Sequence, residues 1–162
     1  MSFTDRDIND LFLVHALIAG ELAARAADSL DDAAIARLRD MQIRLDVAAD
    51  AAEVSRLNHE IHRVVNLASD SARLTALLKR TVQHVPLRFY RNVDGLFHIS
   101  SLDHVAVFDA MQRRDRGAAR AAMSLHIMHT SDLFLDYLHG RRARYAQSSA
   151  DPDIELNIPV VG

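Results

Sequence analysis

Helix-start signatures recur ahead of one amphipathic run after another, and no other feature limits the fold of this chain as much. Thr4 with Asp7, Ser29 with Asp32, Asp50 with Glu53, and Ser100 with Asp103 each set a hydrogen-bonding side chain three residues before an acid, the spacing of a capping box. Behind them the apolar residues step by three and four: Ile8, Leu11, Phe12, Ile18, Leu22; then Ile35, Leu38, Leu45 with Gln42 on the same side; then Leu57, Ile61, Val64, Val65. The spacing predicts helices over 4–27, 29–47, from Asp50 through Ala68, and from Asp70 or Ser71 to a kink or stop at Pro86. A turn is expected at Val93–Gly95, followed by a short helix from Ser100 to about Arg114. Asp115 is expected to cap a long last helix from Arg116 to about Tyr145. No segment before residue 150 alternates as a strand would, so the fold class is all-α, with about six to seven helices.

At 162 residues and 49% hydrophobic content, the chain suits one domain with a substantial core, here 1–146. Residues 147–162 form a tail. Its Ile154, Leu156, Ile158 and Val160 alternate as in an extended chain with one buried face. Such a tail is either a strap on its own or a neighbouring subunit, or an incidental contact. A net charge of -3 and scattered basic residues offer no footprint for direct nucleic-acid contact. The HGRRAR segment, with Arg141 and Arg144, suits a helix C-terminus instead. With no cysteine, any metal site must use nitrogen and oxygen ligands. No apolar run approaches the roughly 20 residues of a membrane span, and Met1–Asp10 is too polar for a signal peptide, so a cytoplasmic, membrane-free protein is expected.

Asn58 and His62 stand one helical turn apart, both along the border of the Leu57, Ile61, Val65 stripe. His104 shares a stripe with Val107, Phe108 and Met111, and His126 shares one with Ala119, Met123 and Ile127. A single imidazole on such a face is usually a core histidine with a satisfied hydrogen bond. Three helices each turning one inward need three partners, and one metal ion would satisfy all of them. His59, His84, His98, His129 and His139 lie off these stripes or near helix ends and read as solvated. Arg88, Tyr90 and Arg91, just after Pro86, either reach a pocket or close an ordinary amphipathic helix.

These residues resemble the FCD (FadR C-terminal) effector domain of GntR-type transcription regulators. The likeness rests on NHEIH at 58–62, LDHVAVFDAMQRRD at 102–115 and AAMSLHI at 121–127, and runs from about Asp5 to Leu138. It implies an antiparallel helical bundle, usually a homodimer, with a central cavity in which a metal helps to hold a small organic acid. It assigns the metal ligands to Asn58, His62, His104 and His126. The family's opening Arg is His15 here, on the inward stripe with Leu11 and Ile18, its Glu is Ala19, and the Asn of its Ser-Gly-Asn turn is Ser71. The winged helix-turn-helix that precedes this region in the family's regulators is not in this sequence.

The function expected is metal-dependent sensing of a small carboxylate effector, with zinc or nickel as the ion since imidazole suits both. Asn58, His62, His104 and His126 would hold the metal, and His15, Arg88 and Arg91 would contact the ligand. His15 would help an anion only while protonated, so affinity should rise as the pH falls from about 8 to 6. The alternatives are a hydrolase-like metal enzyme and a purely structural helical dimer. The first lacks an evident general base, because Glu60 points away from Asn58 and His62.

Overall fold

The structure, a computed structural model, describes residues 4–82 and 96–147. Six helices are found there: α1 (Asp5–Ser29), α2 (Asp32–Val47), α3 (Ala51–Ala68), α4 (Ala72–Val82), α5 (Leu96–Gln112) and α6 (Arg116–Gln147), with no strand among the described residues. The Pro86 kink, the turn at Val93–Gly95, Arg88, Tyr90, Arg91 and the tail from residue 148 lie outside them. No helix among the described residues is long and apolar enough to cross a membrane.

Helix starts follow the capping chemistry with three corrections. Thr4 and Asp7 form the full box, Asp7 N–H donating to Thr4 Oγ1 at 3.2 Å and Thr4 N–H to Asp7 Oδ2 at 2.8 Å. Asp115 caps α6 by accepting from Ala118 N–H at 2.9 Å. Asp50 caps α3, accepting from Ala52 N–H at 3.2 Å, while Glu53 pairs with Arg56 instead of closing a box. Ser29 does not cap α2: it is the last residue of α1, its hydroxyl donates to the carbonyl of Ala68, and Asp31 caps α2 through Ala34 N–H at 2.7 Å. The carboxylate beside the first helical residue reaches the free N–H groups more directly than a hydroxyl two residues earlier. Nor does Asp103 lie at a helix start, because α5 begins at Leu96 and its carboxylate faces α6.

The helix α1 is the centre of the bundle. Ala23, Ala24, Ala26 and Ala27 are fully buried, and their small side chains let neighbours approach closely. Its partner along the longest seam is α6. Contacts run in opposite chain directions: Asp5 with His139, Asn9 with Ser131, Ala16 with Ser124, Glu21 with Arg120, Asp28 with Arg116. The two helices are therefore antiparallel. At Gly20 the approach is so close that a Cβ would stand 2.9 Å from the carbonyl oxygen of Arg120. Arg114, in the left-handed region at φ 56°, donates to the carbonyls of Ala27 (3.2 Å) and Leu30, satisfying the free end of α1. This frame fixes α3, α5 and α6 around one interior point.

Candidate metal centre

Each of three helices delivers one imidazole to that point for the reason its sequence suggests. His62 borders the buried Leu57, Ile61, Val65 face of α3; His104 sits on the Val107, Phe108, Met111 face of α5; His126 lies with Met123 and Ile127 on α6. His104 and His126 are buried, and His62 keeps a little accessible surface. Nε2 of His62 is 3.3 Å from Nε2 of His104 and 3.2 Å from Nε2 of His126, and one ligand atom from each residue fits within 4.8 Å of the others. The rings cluster edge-on and stacked, with centroids 4.6–5.2 Å apart.

The outward nitrogens are also engaged. Nδ1 of His104 donates to Oε1 of Gln42, a buried residue of α2, at 2.7 Å. Oδ2 of Asp103 accepts from Nδ1 of His126 at 3.4 Å and from Nδ1 of the half-exposed His129 at 2.9 Å. With Nδ1 donating outward, the neutral imidazole of His104 or His126 carries its hydrogen on the far side of the ring and presents a bare Nε2 to the shared point.

Burial, reinforced by repulsion among the imidazoles, pushes the pKa of His62 and of His104 well below the usual histidine value. Burial alone would raise the Asp103 carboxyl, but its hydrogen bonds to His126 and His129 outweigh that and hold it below the ordinary value. The centre therefore resists filling by protons while presenting lone pairs.

One further atom bears on what the centre can hold. Asn58 Oδ1, one turn before His62, is buried with no hydrogen-bond partner, the single such side-chain atom among the described residues. A buried acceptor without a donor costs about 1–3 kcal/mol, so a donor such as a water, or a bound cation, at this oxygen would be stabilising. Three imidazole nitrogens and an amide oxygen form a hard-to-intermediate donor set that suits a divalent first-row ion.

His15 reaches the same region from α1. Its Nδ1 donates to Thr81 Oγ1 at 3.2 Å, since the Thr81 hydroxyl gives its own hydrogen to the carbonyl of Leu78 at 2.7 Å. Burial and then repulsion by His126 lower its pKa to about 4. The expectation of partial protonation near neutral pH is thereby corrected: an imidazole at this depth loses more hydration than any neighbour returns, and it is neutral from pH 8 to 6.

The sequence reading missed Gln42, Asp103 and His129 as members of the site. Gln42 was legible as inward-facing, but the pairing of α2 with α5 leaves no periodic trace. Asp103 resembled a cap, and His129 a solvated ring. The three-residue step from His126 to His129, which places both on one side of α6, was the available signal.

No curated protein matches the chain. The FCD domain profile matches residues 10–129. That match spans most of the bundle and includes all three converging histidines, so the chain belongs to the FCD domain family, the effector-binding domains of GntR-type transcription regulators.

Proposed function

We propose that this domain senses a small carboxylate through a divalent ion, zinc or nickel, held by His62, His104, His126 and the Asn58 side-chain oxygen. The observation that carries the reading is the excess of acceptors. The inward Nε2 atoms of His104 and His126 are bare, Asn58 Oδ1 is an acceptor without a donor, and His62 Nε2 can bring at most one hydrogen to the group. Protonation is disfavoured by burial, which leaves a metal cation as the natural complement.

When bound, such an ion supplies positive charge and open positions for carboxylate oxygens. The ligand set is formally neutral, so an anionic effector balances charge that the protein leaves uncancelled. His15 lines this region as a neutral hydrogen-bonding ring, and Arg88 and Arg91 remain candidates for the effector carboxylate on sequence grounds. Movement of α3, α5 and α6 on binding would be read by a winged helix-turn-helix attached to or associated with this domain. A hydrolytic role finds less support, because the acid nearest the histidines, Asp103, already serves two imidazoles.

The reading includes a homodimer, supported by the apolar Leu13, Val14 and Leu17, which share an exposed face of α1. Sedimentation should give a dimer at tens of micromolar, and deletion of 150–162 should weaken it if the tail is a strap.

Metal analysis joined to calorimetry with small mono- and dicarboxylates tests the function. About one zinc or nickel per chain, and carboxylate binding that a chelator abolishes, are the results expected. Binding that survives metal removal unchanged, or no carboxylate binding at all, rejects it.

A further inference from the structure

We infer that Gln42 and Asp103 are positioning residues of the histidine centre: each takes the Nδ1 hydrogen of one imidazole and so turns a bare Nε2 of His104 and of His126 toward the ligand point. The inference deepens the metal reading above and rests on it.

Asp46 is exposed and its carboxylate can only accept, so the atom of Gln42 that lies 2.7 Å from Asp46 Oδ1 must be the amide nitrogen. The other end of that amide, Oε1, then faces His104 Nδ1 at 2.7 Å and can only accept in turn. His104 has no choice but to carry its hydrogen on Nδ1. Gln42 and His104 are both buried, so no water competes for either role. The helix α2 contributes no ligand, yet it decides which nitrogen of an α5 histidine is available.

Asp103 does the same from α5 for a histidine of α6. Its carboxylate accepts from Nδ1 of His126 and, more closely, from Nδ1 of His129. One histidine is thus backed by a neutral amide and the other by a carboxylate shared with a second ring. A carboxylate partner raises the basicity of a ligating imidazole more than an amide does, so the two are unequal donors.

The test combines two readouts. In the metal-free protein, long-range proton–nitrogen NMR correlations report the tautomer of each histidine. Zinc affinity is measured by competition with a chromophoric chelator. The intact chain should show His104 and His126 protonated on Nδ1. Gln42→Met should release the His104 tautomer and weaken zinc binding on the order of tenfold to a hundredfold, and Asp103→Leu should do the same through His126. Gln42→Glu, made together with Asp46→Asn so that the new carboxylate meets an amide donor, should restore both the tautomer and the affinity. A merely structural role for Gln42 would not give that recovery. Nε2-protonated His104 in the intact chain, or unchanged tautomers and affinity in Gln42→Met and Asp103→Leu, overturns the inference. Failure of the intact chain to bind zinc or nickel overturns the metal reading instead, and the tautomer spectra then judge the hydrogen-bond assignment on their own.

Discussion

Nε2 of His126 stands 3.2 Å from Nε2 of His62, although 64 residues separate the two in the chain. At that distance only one hydrogen fits between them, and the third nitrogen, on His104, lies as near. His126→Ala is therefore expected to drop bound metal from about one ion per chain to none. The thermal shift produced by added zinc should vanish with it; for the intact chain that shift corresponds to about 2.7 kcal/mol at a hundredfold excess over Kd. Elemental analysis and a melting curve with and without zinc check both.

Asn58 should behave differently with and without metal. In the metal-free protein its orphaned oxygen is a burden, so Asn58→Ala should change stability by less than about 1 kcal/mol. In the presence of zinc the same substitution should lower the melting temperature. Asn58→Asp should tighten the metal and weaken anion binding, because a carboxylate cancels part of the ion's charge. Parallel denaturant and calorimetric titrations decide this; a large loss from Asn58→Ala in the metal-free chain would argue that the oxygen has another role.

Much of this site was legible because its converging histidines obey the rule that also builds the core. His104 keeps step with Val107, Phe108 and Met111, and burial of that face carries the imidazole inward. The helices themselves were legible from Thr4, Asp50 and Asp115, whose side chains each cap the helix they precede. What escaped were the contacts across helices. Gln42 meets His104 over 62 residues of chain and Asp103 meets His129 over 26, and such meetings depend on how the helices pack. Asp103 is not at a helix start because α5 begins at Leu96, ahead of the Ser100 signature expected to open it. Likewise, the sequence showed that His15 faces inward but gave no measure of its depth, which decides its charge.

That depth makes a pH prediction for chelator-treated protein. His15 titrates near 4 when folded and near 6.5 when exposed, so between those values the unfolded chain binds more protons. Stability is then complete above about pH 6.5 and declines as the pH falls through 4, His15 alone accounting for on the order of 3 kcal/mol. His62 and His104, shifted the same way, add to the decline. Urea titrations at about pH 8, 6.5 and 5 should show little change over the first interval and a clear loss over the second. Equal midpoints at all three would contradict the buried, neutral imidazoles. His15 itself should give carboxylate affinity no rise between about pH 8 and 6.

Gly20 should tolerate no side chain. Alanine gains up to about 1 kcal/mol of helix propensity over glycine, yet its methyl would meet Ser124 Oγ and the Arg120 carbonyl, and the latter is backbone that cannot turn aside. Gly20→Ala is expected to destabilise by about 1–3 kcal/mol, and Gly20→Val by more. Adding Ser124→Ala should recover only part of the loss, since the carbonyl clash persists. Chemical denaturation of the three variants measures the order.

With an ion bound, the convergence of α3, α5 and α6 on one point would give a chain without cysteine something that cysteine usually provides. His62 lies 42 residues from His104 and 64 from His126, so a shared ion would tie loops of that length shut at a single knot. Closing a long loop removes freedom from the unfolded chain, and the gain grows only slowly with length, so two such ties act much as a pair of disulfides would. Unlike a disulfide, such a knot would be loosened or tightened by whatever else binds to it. An effector that takes hold there would pull on three distant stretches of sequence together, and would be felt first as a change in how firmly the whole bundle is laced.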